Sequence, residues 1–229
     1  MSLWQEKEEI QSHTSRATMS DVVFTINCQS LPVDHANSLA NQLIQQAPWL
    51  TECVGAGIHP IHVAGTQNGW QRPDAESGEP LILSKRTRLR IRVPLTQVDT
   101  LISSLSGKRL KIDGMPLEIT TGRPAGLQTS TTLFARYTIY TTKPQNEDAF
   151  LQCVIEDCKS IGFQPTKLLC GKSSYLSTTA GILEAKSLLI ADVPNEYSIP
   201  LLEMGLGDYR LMGCGVLIPH KDTGAVSSQ

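Results

Sequence analysis

The chain lacks the arrangements from which most metal sites are built. Six cysteines occur in 229 residues, yet none forms a CxxC pair and none stands with histidine at zinc-ligand spacing. Cys28, Cys53, Cys153, Cys158, Cys170 and Cys214 therefore read as small core residues of a reducing compartment, and no metal or other cofactor is implied. Long apolar runs are missing too. Nothing approaches the roughly 20 residues of a membrane span, and "MSLWQEKEEI" has no apolar signal core, so a cytoplasmic protein without membrane contact is expected. Nor is charge of one sign in excess, since 20 Lys and Arg meet 22 Asp and Glu for a net charge of −2. A polyanionic partner would have to be met by a local patch. Charged residues make up only 18% of the chain and hydrophobic residues 40%, which excludes a disordered chain and supports a real core.

What is present repeats. Residues 1–20 are polar and read as a loosely docked extension; "DTGAVSSQ" reads as a second tail. Between them, "VVFTIN" predicts a strand. Ala36, Leu39, Ala40, Leu43, Ile44 and Ala47 then recur at helical spacing behind Asp34 as N-cap. "VGAGIHPIHVAG" and "LILSKRTRLRIRVP" read as strands joined by the Gly/Pro/Asn-rich "TQNGWQRPDAESGEP". Thr96-Gln97-Val98-Asp99 has the form of a capping box before a helix through Val98, Leu101, Ile102 and Leu105, closed by Gly107. "KRLKIDGMPLEIT" completes the unit as a strand or hairpin. That order, β-α-β-β-α-β, is the ferredoxin-like signature. It returns after "TTGRPAGLQTSTT", through "LFARYTIYT", a helix at Phe150–Ile161, two strands turning at Ala180-Gly181, the helix "SIPLLEM" and the strand "GVLIP". We expect an α+β protein of tandem ferredoxin-like domains, residues 21–122 and 131–222, each burying one sheet face under two helices.

The stretch "SKRTRLRIRVP" puts Arg86, Arg88, Arg90 and Arg92 on one face, about 6.6 Å apart, with Thr87, Leu89, Ile91 and Val93 on the other. Such a row needs anions. Cross-strand carboxylates would serve, and so would a polyanion, along which fork-shaped donors track phosphates without reading bases. Lys85 adjoins the row, and Lys108, Arg109 and Lys111 would widen it. A second feature is "GLGDYRLMGCG", with Gly205, Gly207, Gly213 and Gly215 around Arg210, the loop's only cation. Paired glycines permit tight turns and close ligand approach, leaving amides for phosphate. They equally fit helix termination at Gly205 and close packing of the last strand.

Together with "LPVDHA", "PWL", "GIHPIH", "NGWQRP", "TTLFARY", "LLCGK", "KSLLIADV" and the closing "GVLIPHKD", these segments resemble the CRISPR-associated repeat-cleaving endoribonucleases of the RAMP superfamily, within it the myxan-type subfamily. The resemblance runs from Asp21 to Asp222. One departure is that Asp208 and Tyr209 stand where more basic or glycine residues are expected. The resemblance implies metal-independent cutting of CRISPR repeat RNA, recognised through its stem-loop, into guide units. The ribose 2′-hydroxyl attacks the adjacent phosphate, the 5′-oxygen leaves, and a 2′,3′-cyclic phosphate remains. Other CRISPR effector-complex subunits are implied partners. A non-catalytic RNA-binding subunit that caps the guide is the alternative; a small-molecule sensor on the same scaffold is disfavoured by the arginine row.

Deprotonating a 2′-hydroxyl near neutral pH calls for histidine. His13 and His220 lie in the tails. His35 stands in the first turn of the first helix, off its apolar stripe, where a surface or capping role fits equally. The family's general base commonly lies on or just after this helix, which favours His35 and keeps His59 as the alternative. His62, three residues on, would face away from His59. Arg86, Arg88 or Lys85 would neutralise the transition state. Trp70 and Tyr209 are loop aromatics able to stack on bases.

Overall fold

The computed structural model describes residues 17–62, 79–142, 144 and 146–220. His13, Trp70, most of the expected N-terminal extension and the expected C-terminal tail lie outside them. The first half runs β1 (Met19–Asn27), β2 (Ser30–Leu31), α1 (Ala36–Gln46), β3 (Gly57–Ile58), β4 (Leu81–Ile82), β5 (Arg88–Pro94), α2 (Val98–Leu105), β6 (Arg109–Ile112) and β7 (Met115–Gly126). The second half runs β8 (Leu133–Thr138), α3 (Glu147–Ser160), β9 (Lys167–Thr178), β10 (Gly181–Ala191), α4 (Asn195–Met204) and β11 (Ile218–Pro219). The sheets are ordered β3-β5-β1-β7-β6 and β11-β8-β10-β9, with β2-β4 as a separate pair. With the β6–β7 hairpin counted as one element, each half places its first strand between its third and fourth, and its second strand follows the third. This is the tandem ferredoxin-like arrangement the element order predicts.

Alternation along the strands decides the layers. Val22, Phe24, Leu89, Ile91, Leu117 and Ile119 face one side of the first sheet and pack on Leu39 and Leu43 of α1 and on Leu101 and Leu105 of α2. Burying each such leucine contributes about 2 kcal/mol. In the second half, Val154 and Cys158 of α3 and Leu201 and Leu202 of α4 cover Leu133, Ala135, Leu188 and Ile190. A third cluster forms the seam between the halves: Ala36, at the start of α1, packs with Tyr137, Ile139, Leu176, Ala185 and Cys214 of the second half. Among the described residues, no helix is long and apolar enough to cross a membrane.

Several local expectations are corrected. "LILSKRTRLRIRVP" is not one strand, because Leu81 and Ile82 pair with β2 and a turn closed by the Thr87 amide on the Ser84 carbonyl precedes Arg88. Arg86 therefore stands off the strand. Among the described residues of "VGAGIHPIHVAG", Gly57 and Ile58 pair with β5 and the His59 amide donates to the Arg90 carbonyl at 2.9 Å; the ladder stops there, since Pro60 has no amide to extend it. Asp34 does not cap α1. The N-cap is His35, without a side-chain bond, and Asp34 Oδ2 instead accepts the Ser177 amide of β9 at 2.7 Å. The capping box is likewise absent: a 3-10 turn at Leu95–Gln97 leads into α2, whose N-cap Gln97 makes no side-chain bond. Finally, β7 continues through Gly126, inside the stretch expected to be a linker, where it pairs with β1.

Candidate functional site

On the face of the first sheet opposite α1 and α2, register places Arg90 opposite Val23 and Val23 opposite Arg123, with Arg88 one step along. Farther across, Asn27 stands opposite Glu118 and Glu118 opposite Arg109, which pair at 3.3 Å. Arg88, Arg90, Arg109, Lys111 and Arg123 are all exposed. Lys85, Arg86 and Lys108 are also exposed, in turns beside this face. The Arg88 guanidinium donates to the Lys85 and Thr87 carbonyls, both at 2.8 Å, which fixes its aim. The exposed part of this face is a cationic sheet surface on which, among the described residues, Glu118 is the carboxylate in the row.

Arg92 shares the face but not the role expected of it. It is 1% exposed and donates from Nε to Asp21 Oδ1 at 2.8 Å and from Nη2 to Asp21 Oδ2 at 3.3 Å. Its Nη1 crosses to the other half, donating to the carbonyls of Leu202 at 2.6 Å and Leu217 at 3.0 Å. His59 Nε2 lies 3.2 Å from Asp21 Oδ1. Burial alone would raise the Asp21 carboxyl, but the hydrogen bonds and charges of His59 and Arg92 outweigh it and hold it far below the usual carboxylate range. Burial pushes the His59 imidazole below its ordinary 6.5; Asp21 opposes this, while the charges of Arg92 and Arg90 add to it. Neutral His59 donates to Asp21, so Arg92, Asp21 and His59 form a clasp between the halves.

The glycine loop is corrected in the same sense. Arg210 donates to the carbonyls of Gly55 (2.7 Å), Ala56 (3.4 Å), Glu203 (3.1 Å) and Met204. Burial, and then the charge of Arg92, push its guanidinium down to about 10. Two like charges are tolerable here because the C-terminal carbonyls of α4, the negative end of the helix dipole, accept from both. The glycine amides are used internally as well. Gly205 donates to Leu201, Gly213 to Arg210 and Gly215 to Tyr137, while Gly207 donates to Asp157 Oδ2 at 2.9 Å. A Cβ on Gly213 would stand 2.7 Å from Pro60 Cγ and 2.9 Å from the Ile58 carbonyl. Of the two uses that the glycine spacing allows, the structure takes helix termination and close packing of the halves.

His35 caps α1 at the seam and is 3% exposed, not a surface residue. Its Nδ1 lies 2.8 Å from the Pro32 carbonyl. A carbonyl only accepts, so Nδ1 carries a proton, and in the neutral ring the lone pair is on Nε2. That is the tautomer a general base needs. α1 packs on the side of the sheet opposite Arg88 and Arg90, so the sheet stands between His35 and the cationic face. His59 is 7% exposed, inside the clasp, and His62 is exposed.

Residues 20–222 match the family described as Cas6 Crispr. The chain belongs to the Cas6 family. A curated relative, the CRISPR-associated endonuclease Cas6 of Myxococcus xanthus (strain DK1622), is 27% identical over 208 residues, which is 91% of this chain and 84% of the relative. Two solved structures share the fold. One, described as a characterization of a Cas6-related gene from Pyrococcus furiosus, has a TM-score of 0.59 at 12% identity, covering 87% of this chain and 97% of its own. The other, an RAMP protein binding different RNA substrates, has a TM-score of 0.61 at 10% identity, covering 88% and 100%.

Within this Cas6 fold, two residues escape sequence reading. Arg123 sits in "TTGRPAG", whose Gly and Pro mask the end of β7; only pairing with β1 puts it beside Arg90. Asp21 opens the first strand's alternation on the arginine side, and that parity was the available signal for its pairing with Arg92.

Proposed function

We propose that the chain is a cytoplasmic, metal-independent endoribonuclease that binds CRISPR repeat RNA through its stem-loop and cuts precursor transcripts into guide RNAs. The base takes the proton from a 2′-hydroxyl, the oxygen attacks the adjacent phosphorus, the bond to the 5′-oxygen breaks as that oxygen takes up a proton from solvent, and a 2′,3′-cyclic phosphate remains. His35 is the base, through Nε2. Its tautomer, fixed by the Pro32 carbonyl, in a chain of the Cas6 family is the observation that carries this reading. Lys85, Arg86, Arg88, Arg90, Lys108, Arg109 and Arg123 hold flanking phosphates, and the RNA passes from their face around to the seam. Because His35 is buried, the seam contacts around it must open as RNA engages. Other effector-complex subunits then receive the guide.

The test uses repeat RNA from the protein's own locus. His35→Ala is expected to retain binding and lose at least about 100-fold in cleavage rate, the usual worth of a general base. Wild-type cutting by this variant would move the role to His59. A single 2′-deoxyribonucleotide at the cut site should stop cleavage and spare binding, and excess EDTA should leave the rate unchanged. The burial of both histidines favours a second reading, a guide-binding subunit that never cuts; wild-type protein that binds repeat RNA tightly and leaves it intact would establish it.

A further inference from the structure

The second half carries a cleft of about 480 Å³ between the start of α3, the distal part of the β9–β10 hairpin and the glycine loop. Leu188 and Ile190 of β10 lie in the core with Val154 and Cys158 of α3, whereas the hairpin runs on past an irregularity in register between Lys186 and Leu188. The uncovered part leaves two large side chains in water, Tyr175 at 62% exposure and Ile182 at 67%. Opposite them stands Tyr209. Its backbone is left-handed, φ +63°, a conformation that costs free energy in any residue but glycine, and its carbonyl accepts the Met212 and Cys214 amides. The backbone that carries this exposed ring is thereby held in place.

Polar groups complete the lining. Thr138 is buried, and its hydroxyl has no hydrogen-bond partner among the described residues, an uncommon and costly state for a buried polar atom. Among the described lining residues, Glu147 and Glu184 bring two carboxylates against one ammonium, Lys186. Ser173 holds Glu184 at 2.7 Å and accepts from Lys186 at 3.1 Å. The excess of carboxylates among these described residues disfavours phosphate beside them. Carboxylates do accept from amino groups on base edges, and aromatic walls suit the face of a base.

We propose that this cleft receives one unpaired, amino-bearing nucleobase, with Tyr175 as its stacking wall and the carboxylates as acceptors. As a subsite for a nucleotide flanking the repeat's stem, it rests on the RNA-binding reading above. It lies on the other half of the molecule from the arginine face and uses none of that face's residues.

The experiment measures binding of the full chain to repeat RNA in which each unpaired nucleotide is replaced in turn by an abasic one, beside titrations with AMP, GMP, CMP and UMP. One abasic position is expected to weaken wild-type binding about tenfold, the worth of one stacked base. Tyr175→Ala should cost the same on intact RNA, and the two losses should not add. Tyr175→Phe should bind as wild type. Saturable, Tyr175-dependent binding of the amino-bearing monophosphates, weaker for UMP and with no abasic effect, would keep the cleft and identify a free nucleotide as its occupant. If RNA does not bind at all but the monophosphates do, the RNA reading fails and the cleft stands. Tyr175→Ala that binds every ligand as wild type does overturns the inference, whatever the stem-loop does.

Discussion

Arg92→Ala separates a structural arginine from a phosphate-tracking one. The substitution leaves Asp21 buried with only His59 beside it, and removes the donor from the Leu202 and Leu217 carbonyls. Deleting one partner of a buried ion pair costs about 3–5 kcal/mol, because the remaining charge is uncompensated. That is a large share of a typical total stability of about 5–15 kcal/mol. For a chain of this size, each kcal/mol moves the midpoint by about 2–4 °C, so Tm should fall by roughly 6–20 °C. Urea unfolding should show the same loss, and the double variant Asp21→Ala/Arg92→Ala should lose less than the sum of the two single variants. The control is Arg90→Ala, two residues along on the same face but exposed, expected within about 0.5 kcal/mol of wild type. The reasoning is refuted if the two variants melt alike.

Other outcomes follow from the same geometry. Arg90→Ala and Arg123→Ala should each lower the slope of log affinity for RNA against log salt by about 0.7–0.9, one phosphate contact apiece. His59 is depressed below 6.5 in the folded chain, so below that pH the unfolded chain binds more protons. Its stabilising contribution is complete above about 6.5 and lost as pH falls; Tm should drop between pH 7.5 and 5.5, and less so in His59→Gln. A Tm that rises on acidification contradicts this. Gly215→Ala puts a Cβ on the Leu206 carbonyl at φ +65° and should cost of order 1–3 kcal/mol or more. Gly114→Ala, at φ +90° with nothing within 4 Å, should cost less; equal losses would remove the packing explanation for the loop.

Strand and helix identity, the doubled βαββαβ order and the inward faces of both sheets were legible in the chain because they depend on local periodicity. Leu89, Ile91 and Val93 announce a core face whatever lies across from it. The same periodicity put Arg92 with Arg88 and Arg90, and register agrees that they share a face. Which of them meets water is not a local property. It depends on where the second half docks, and α4 brings its carbonyl-rich end against Arg92 and Arg210 while leaving Arg88 and Arg90 open. Glycine spacing marked a special loop, but whether its amides face a ligand or the protein depends on Ile58, Pro60 and Tyr137, which are remote in sequence. The residues alone leave His35 open to a surface or capping role, and it is the family resemblance that favours it as the base; its burial and its ring orientation come from the Pro32 carbonyl and the seam. Sequence determined the two units because hydrophobic alternation is short-range, and tertiary structure decided the use of each charge because burial and pairing are set by residues from both halves.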